Sequence, residues 1–423
     1  MPMFFSRSAA LLALLVPALA LISAAGGPAV LYLAGLLALV AWAMNVARRW
    51  QSFDFQDLMP MVVALGAPFA AMLVSCLWLG VWSGSEIEKL LRFALAIPVC
   101  WLLLRAPRQW LMQVQWSLLF AAYAGSLLLI VIMLRSEMGR YGIGEFGGRY
   151  NAVAFADLTL MFATLSLMTL PWQLTRWPKT EAALKILVVP LALTGVWLSQ
   201  TRSSWVLLPV YGLVFLLGRR AWTLRQKAAC LGVVAIVLCV AAFSIWNAKQ
   251  SRWKEAVSDL ALYAQKADRD TSVGTRIQLW HASWLMFKQN PLVGVGVANF
   301  RSELAKLAEQ DIVTKTVAAD YGEPHNDFLG ALAGYGLLGV LSMLALYFVP
   351  AVVFWRRMRS DDPVIQAGAQ MGMLFCLGYA LFSLSEMMFR NMRSVPIYAV
   401  TVVLLYALTT VRKGSIPAPS ASA

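Results

Sequence analysis

The chain has 423 residues, of which 60% are hydrophobic and only 13% are charged. A soluble protein has about 25% charged residues, and a disordered chain is poor in aliphatic and aromatic residues, so the composition excludes both classes and indicates an all-α polytopic membrane protein. The net charge of +14 must first be compared with the membrane topology, because lysine and arginine accumulate in cytoplasmic loops.

The apolar runs predict twelve transmembrane helices, since a helix of about 20 apolar residues crosses a bilayer. The first run follows Arg7 and is similar to a signal peptide, but a second run begins directly after Gly26-Gly27-Pro28. We therefore interpret the two runs as a retained helical hairpin with Gly-Gly-Pro as its outer turn. The predicted spans are residues 9–25, 29–47, 58–81, 90–104, 110–133, 151–174, 182–199, 203–218, 228–246, 326–354, 364–384 and 394–411.

Basic residues follow every second span, and the positive-inside rule places these short loops and both termini in the cytoplasm. They are Arg7, Arg48, Arg49, Arg105, Arg108, Arg176, Lys179, Lys185, Arg219, Arg220, Arg225, Lys227, Arg356, Arg357, Arg359, Arg412 and Lys413. Topology explains this charge, so no nucleic-acid partner is expected. The predicted parts are helices 1–9 in residues 1–246, a periplasmic loop with amphipathic helices in 247–325, helices 10–12 in 326–413, and a disordered cytoplasmic tail in 414–423.

Other basic residues lie in the short outer loops, where the topology does not require them. Such residues reach lipid phosphates, pair with acids or bind an anionic ligand, and their number on one side favours a shared anionic site. Guanidinium groups bind phosphate through two hydrogen bonds, which suits a pyrophosphate. The residues are Lys89, Arg92, Arg135, Arg140, Arg149, Arg202, Arg390 and Arg393.

The long outer segment, about 247–325, has two helical patterns, at 258–266 and 275–289. The second pattern ends at Asn290-Pro291 and has Trp280 and Trp284 at helical spacing, which predicts an aromatic face toward either the membrane interface or the bundle. A glycine-rich turn, Gly294-Val-Gly296, follows and is weak evidence for phosphate binding.

Two histidines and one intramembrane acid are the candidates for proton chemistry. We interpret His281, among tryptophans, as structural. His325 lies in Glu-Pro-His-Asn-Asp at the start of the tenth span, where a neutral imidazole could accept a proton or serve as a helix cap. Asp157, inside the sixth span, is expected to be functional or paired with an arginine. The sequence has no metal-ligand pattern and no P-loop, and its five cysteines lie in apolar runs.

Taken together, the motifs resemble the O-antigen ligase and polymerase superfamily of bacterial membrane glycosyltransferases. The resemblance covers most of the chain and is densest between about 145 and 340. The motifs that carry it are Gly148-Arg149-Tyr-Asn151, Ser199-Gln-Thr-Arg202, Gly274-Thr-Arg276 with Trp280, Asn290-Pro291 with Gly294-Val-Gly296 and Phe300, and Glu323-Pro324-His325-Asn326.

The resemblance implies an enzyme of the bacterial inner membrane with its active site facing the periplasm. Such a ligase moves a glycan from undecaprenyl pyrophosphate to a sugar hydroxyl of lipid A–core, without a nucleotide sugar, metal or other cofactor. The matching catalytic positions are His325, Arg276 and Arg202, with His325 as the base and the arginines as the pyrophosphate clamp. The further expected substrate-binding residues are Arg149, Lys89, Arg92, Arg390, Arg393 and Asn326.

Three alternatives remain open at this point. An O-antigen polymerase and a protein O-glycosylating transferase belong to the same superfamily, and the pronounced outer loop with a single late histidine favours the ligase over the polymerase. A transporter of lipid-linked glycans would suit twelve spans. Its site would lie near the midplane between repeated halves, whereas the charges here concentrate at the outer ends of the helices and no repeat is visible.

Overall fold

A computed structural model describes residues 3–48, 55–146, 150–201, 203–218, 222–247, 252–265, 267–389 and 393–410. The structure is 80% helix, and no strand occurs in these ranges. The all-α fold class predicted from the composition is therefore confirmed.

Eleven helices precede the long loop that the sequence predicts as the outer segment. They are α1 Met3–Leu19, α2 Gly26–Arg48, α3 Phe55–Leu79, α4 Gly84–Leu103, α5 Arg108–Leu111, α6 Val114–Arg135, α7 Ile143–Phe146, α8 Ala152–Met168, α9 Pro178–Leu198, α10 Ser203–Gly218 and α11 Leu224–Asn247. The loop itself contains α12 Arg252–Ala264, α13 Ser272–Gln289, α14 Phe300–Glu309 and α15 Lys315–Asp320. Three further helices follow: α16 Asp327–Arg357, α17 Pro363–Phe382 and α18 Ser394–Thr409.

Each of the twelve predicted spans coincides with a helix of this set. Within the described ranges, six helices are long and apolar enough to cross a membrane: α2, α3, α6 extended back to Arg108, α9, α16 and α17. Four shorter helices, α1, α8, α10 and α18, are also apolar. The chain is thus a membrane protein, while the number of twelve spans and the orientation stay predictions.

The Gly-Gly-Pro sequence is not the turn of the first hairpin, contrary to the sequence-based interpretation. Helix α2 begins at Gly26, so both glycines and Pro28 lie in its first turn, and the turn precedes them. The Ser23 hydroxyl accepts a hydrogen bond from the Gly26 N–H at 3.0 Å. Proline fits this position because the first turn of a helix has no internal partner for its backbone N–H groups.

Helix α18 forms the buried centre of the bundle, with every residue of Ser394–Thr409 buried. Next to it, an aromatic cluster connects α16, α17 and the turn that follows α17. The centroid of the Phe389 ring lies 6.0 Å from that of Tyr347 and 5.7 Å from that of Tyr379, and both ring pairs are stacked. This packing fixes the end of the turn formed by residues 383–389.

Residues 290–296, called here the glycine strap, bind into a break in α16. Gly336 has φ 62° and ψ −147°, which interrupts the helix. The strap supplies the missing partners: the Val295 N–H donates to the Ala333 carbonyl at 2.9 Å, and the Leu337 N–H donates to the Pro291 carbonyl at 2.8 Å. A Cβ on Gly336 would lie 2.5 Å from the carbonyl carbon of Leu292. Gly294 of the strap packs equally closely, because a Cβ there would lie 2.5 Å from the Ala333 carbonyl oxygen.

Candidate functional site

A cavity of about 970 Å³ lies where α8, α10, α12, α13 and the 383–389 turn meet. Four of the sequence motifs contribute to its wall, although they are far apart in the chain. The contributing residues include Asn151, Thr201, Arg276 and His325. A fifth wall residue, Glu386, belongs to none of the motifs.

His325 stands on the cavity wall directly before α16, where the sequence predicted it. Its Nδ1 lies 3.3 Å from Oε1 of Glu386, and its side chain is 19% exposed. The ring of Tyr321 meets the imidazole edge-on, with 5.6 Å between the ring centroids. The backbone of His325 has φ 52°, a left-handed conformation that is uncommon outside glycine and that is often found at functional sites.

Glu386 is the ionised partner of this histidine. Burial disfavours its charge, but the hydrogen bond with His325, the charge of the imidazole when it is protonated, the Met387 N–H and the Arg276 charge hold the pKa of Glu386 below its usual value. The carboxylate is therefore charged at neutral pH, although its side chain is only 4% exposed.

Backbone contacts attach the His325 segment to the Glu386 turn. The Asp327 N–H donates to the Ser383 carbonyl at 2.9 Å, and the Asp327 carboxylate accepts the Met388 N–H at 2.9 Å. These bonds give the imidazole and the carboxylate a fixed separation.

Arg276 comes to the cavity from the second turn of α13. Thr271 caps this helix by accepting the Gly274 N–H at 3.2 Å, and a Cβ on Gly274 would lie 2.4 Å from the Arg269 carbonyl oxygen. The glycine of the Gly-Thr-Arg motif thus permits the close approach that begins the helix. Within the described ranges, the Arg276 guanidinium makes no hydrogen bond or ion pair, so its donors are available to a ligand.

The aromatic face predicted for α13 is not its buried face. Leu279, Ala282 and Met286 are fully buried in a small core with α14 and α15, whereas Trp280 is 39% and Trp284 is 45% exposed. The Trp280 indole N–H donates to the Pro324 carbonyl at 3.0 Å and so connects α13 to the His325 segment. His281 is exposed on the same helix and lies outside the cavity wall.

Asp157 holds the start of α10 at the other side of the cavity. Its carboxylate accepts hydrogen bonds from the Ser203 hydroxyl at 3.0 Å and from the Ser204 hydroxyl. Gln200, just before this start, has φ 55° and lines the cavity together with Thr201 and Ser203. Serine hydroxyls are thus the hydrogen-bond partners of this acid among the described residues, and its predicted functional role or arginine partner stays a prediction.

Three of the predicted site residues, Arg149, Arg202 and Arg390, lie outside the described residues. Their neighbours in the chain are described: Asn151 caps α8 by accepting the Ala154 N–H at 2.7 Å, and Thr201 lies on the cavity wall. The substrate-binding and catalytic roles of the three arginines stay predictions.

Lys89 and Arg92 pair with acids of their own helix. Lys89 Nζ lies 2.7 Å from Glu86 Oε1, and Arg92 Nη2 lies 2.6 Å from Glu88 Oε1. Arg92 also donates to the Tyr32 hydroxyl at 3.0 Å. Neither residue lines the cavity, and their predicted contact with a substrate stays a prediction.

Arg393 and Asn326 also do not line the cavity. Arg393 occupies the position before α18. Asn326 caps α16 by accepting the Leu329 N–H at 3.0 Å and donates to the Leu384 carbonyl at 2.9 Å, so its amide is engaged by the protein. Its predicted substrate contact remains a prediction.

Glu386 is the site residue whose role the sequence did not reveal. It is the only acidic residue after Asp362, which was an available signal. Its distance from His325, 61 positions along the chain, hides the pairing from any spacing rule. Among the described residues, no group of three or more His, Cys, Asp or Glu side chains could hold a metal ion.

Comparison with known proteins agrees with the motifs. Residues 187–344 match the family model described as O-antigen ligase. A protein named O-antigen ligase from Escherichia coli is 25% identical over 224 residues, covering 52% of this chain and 50% of that protein. An uncharacterized protein from Haemophilus influenzae is 21% identical over 236 residues, covering 55% of this chain and 59% of that protein.

The chain thus spans about half the length of the curated relatives it matches. The region matched by the family model contains the start of α10, Arg276 and His325, which contribute to the cavity wall, and also the glycine strap, which does not line the cavity. Residues 187–344 are therefore similar to the O-antigen ligase family, as the sequence motifs indicated.

Proposed function

We propose that this protein is an O-antigen ligase, which transfers a glycan from undecaprenyl pyrophosphate to a sugar hydroxyl of lipid A–core. The main support for this proposal is that His325 and Arg276 line the same cavity. Asn151, close to Arg149 in the chain, and Thr201 and Ser203, on either side of Arg202, line it as well. Its volume of about 970 Å³ suits a pyrophosphate with adjoining sugar residues, since ligand sites range from about 300 to 1,000 Å³.

Arg276 supplies positive charge to the leaving group. Breaking the bond between the anomeric carbon and the phosphate oxygen leaves negative charge on the pyrophosphate, and a preorganised guanidinium with free donors stabilises that charge. Arg202, next to the cavity residues Thr201 and Ser203, is the second member of the proposed clamp. Because arginines supply this charge, the proposed reaction needs no metal or other cofactor.

His325 acts as the general base. Its imidazole takes the proton of the acceptor hydroxyl while the acceptor oxygen bonds to the anomeric carbon, and the undecaprenyl pyrophosphate leaves from the opposite face. This geometry inverts the anomeric centre. Comparison of the donor and product linkages by NMR tests the inversion.

The proposed location is the bacterial inner membrane, with the cavity facing the periplasm and both termini in the cytoplasm. The six long apolar helices and the basic loops after alternate spans support it. Labelling of single cysteines placed in α12 and in the loop after α10, in intact cells, tests the orientation.

The decisive experiment is a transfer assay with purified protein in nanodiscs, with undecaprenyl-pyrophosphate glycan and rough lipopolysaccharide, in the presence and absence of a chelator. We expect a chelator-insensitive shift of the lipopolysaccharide on a gel. His325→Ala should reduce the rate by about 10²- to 10⁴-fold, the usual contribution of a general base. His281→Ala, which changes the other, exposed histidine, is the matched control and should retain full activity.

Other outcomes assign other functions. Longer glycans on the carrier without a shifted lipopolysaccharide would identify a polymerase. Transfer only to an added periplasmic protein acceptor would identify a protein O-glycosylating enzyme. Full activity of a folded His325→Ala protein would contradict the proposed base.

A further inference from the structure

We infer that Glu386 is a positioning residue, which holds the His325 imidazole with Nδ1 protonated and the Nε2 lone pair toward the acceptor hydroxyl. This inference rests on the proposed function for its catalytic meaning. The orientation of the imidazole can also be measured without any reaction.

The hydrogen bond between His325 and Glu386 determines which nitrogen of the imidazole carries the hydrogen. Glu386 Oε1 lies 3.3 Å from His325 Nδ1 and also accepts the Met387 N–H at 3.2 Å. An ionised carboxylate only accepts hydrogen bonds, so Nδ1 must carry the hydrogen. A neutral imidazole has one such hydrogen, and its Nε2 is therefore left with a free lone pair.

The charged groups around the Glu386 carboxylate affect its ionisation. Among the described residues, the charge of Arg276 on α13 lowers the pKa of Glu386, and the acids Asp157 on α8 and Asp327 on α16 interact with Glu386 electrostatically. Burial opposes the ionised form, while His325, the Met387 N–H and Arg276 favour it and hold the pKa of Glu386 below its usual value. Glu386 thus stays ionised beside an imidazole that gains a positive charge when it takes a proton.

Packing contacts hold both the turn that carries Glu386 and the imidazole of His325 in place. The Phe389 ring packs on Tyr347 and Tyr379, and the Asp327 carboxylate accepts the Met388 and Phe389 N–H groups at 2.9 and 3.4 Å. On the histidine side, the edge-on Tyr321 ring limits rotation of the imidazole. A carboxylate held at both ends of its turn can orient a base more precisely than a solvated one.

The role of Glu386 in the reaction is electrostatic. The acceptor proton moves to Nε2 as the new glycosidic bond forms and the bond to the phosphate oxygen breaks. Glu386 stays unprotonated and stabilises the imidazolium through the Nδ1 hydrogen. The proton then leaves Nε2 for water, and the imidazole returns to its starting tautomer.

The test uses ¹⁵N-histidine labelling of the full-length protein in nanodiscs, because the chain has only two histidines. The exposed His281 serves as the internal reference, and His281→Gln assigns the two spectra. We expect the neutral His325 to have its hydrogen on Nδ1. In Glu386→Gln and Glu386→Ala, we expect the tautomer mixture of His325 to move toward that of His281.

The same variants are tested for transfer. We expect kcat to fall by about 10- to 100-fold, the usual cost of losing a group that orients an active-site ligand, with KM for the donor unchanged. An unaltered His325 tautomer in both variants overturns the inference, and so does a full kcat. Loss of the folded state in both variants, measured by gel filtration, would instead make Glu386 a structural residue. If the wild-type protein transfers nothing, the proposed function fails, whereas the tautomer result still decides the positioning role.

Discussion

Two acid–base pairs of this protein have opposite surroundings. The His325–Glu386 pair stands on the wall of a large cavity, beside an arginine whose donors are free within the described ranges. The Lys185–Glu181 pair is completely enclosed, with each side chain 1% exposed. The difference teaches how to separate structural from functional charge in a membrane protein: one must ask whether each polar atom already has a partner.

Within the enclosed pair, every hydrogen of the lysine is used. Lys185 Nζ lies between 2.7 and 2.9 Å from four oxygens, those of Gln115, Thr169, Trp172 and Glu181. Glu181 accepts the Thr175 N–H at 3.0 Å in addition. The cluster joins α6, α9 and the end of α8, and it leaves no donor for a ligand.

The largest expected effect is on the enclosed pair. Lys185→Met leaves Glu181 buried without its cation, which should lower the free energy of unfolding by about 3–5 kcal/mol. Thermal unfolding in detergent measures the change. Lys179→Met, at an exposed position of the same helix, is the control, and the transfer rate per folded molecule should be unaffected by either change. A Lys185→Met protein as stable as the wild type would show that the pair is not structural.

On the cavity wall, we expect a substitution to lower activity and to leave stability nearly unchanged. Arg276→Ala should lower kcat by about 10²- to 10³-fold, because it removes a preorganised donor for the leaving-group charge, while the melting temperature stays close to that of the wild type. Lys288→Ala, a surface cation of the same helix, should leave kcat unchanged. If Arg276→Ala mainly unfolds the protein, the contrast between the two pairs is wrong.

An intermediate effect is expected at the break in α16. Gly336→Ala places a side chain in a conformation essentially restricted to glycine and against the glycine strap, so a loss of about 1–3 kcal/mol is expected. Gly232→Ala, whose Cβ would meet nothing within 4 Å, is the control. Chemical denaturation of both variants measures the difference. Equal stabilities would show that the packing of Gly336 against the glycine strap does not contribute to the free energy of unfolding.

The smallest effect is on pH dependence. The pKa of Glu386 is lowered in the folded protein, so its contribution to stability is present above the ordinary glutamate pKa of about 4.3 and is lost as the pH falls through the lower folded pKa. Melting temperatures of wild type and Glu386→Gln should therefore differ at neutral pH and converge in acid. A constant difference from neutral to acidic pH would exclude this titration.

The sequence predicted the helices well because an apolar run of sufficient length in lipid must satisfy its own backbone. It also placed His325 directly before a long apolar helix, since the start of an apolar run and the flanking polar residues are local signals, while the catalytic role of His325 stays a prediction. Lys185 was interpreted as a topological charge, because a cytoplasmic lysine and an enclosed one look alike in sequence. The pairing of Glu386 with His325 and the strap in α16 depend on contacts between distant segments, which no local period encodes.

The glycine strap also constrains how the protein is made. The backbone of α16 at Gly336 is completed by residues that precede it in the chain and lie outside the helix. The Leu337 and Leu338 N–H groups therefore gain their partners only when residues 290–296 dock against α16. A chimaera that receives the segment with α12–α15 from a relative should fold as the parent does when residues 290–296 and the facing turn of α16 are exchanged together.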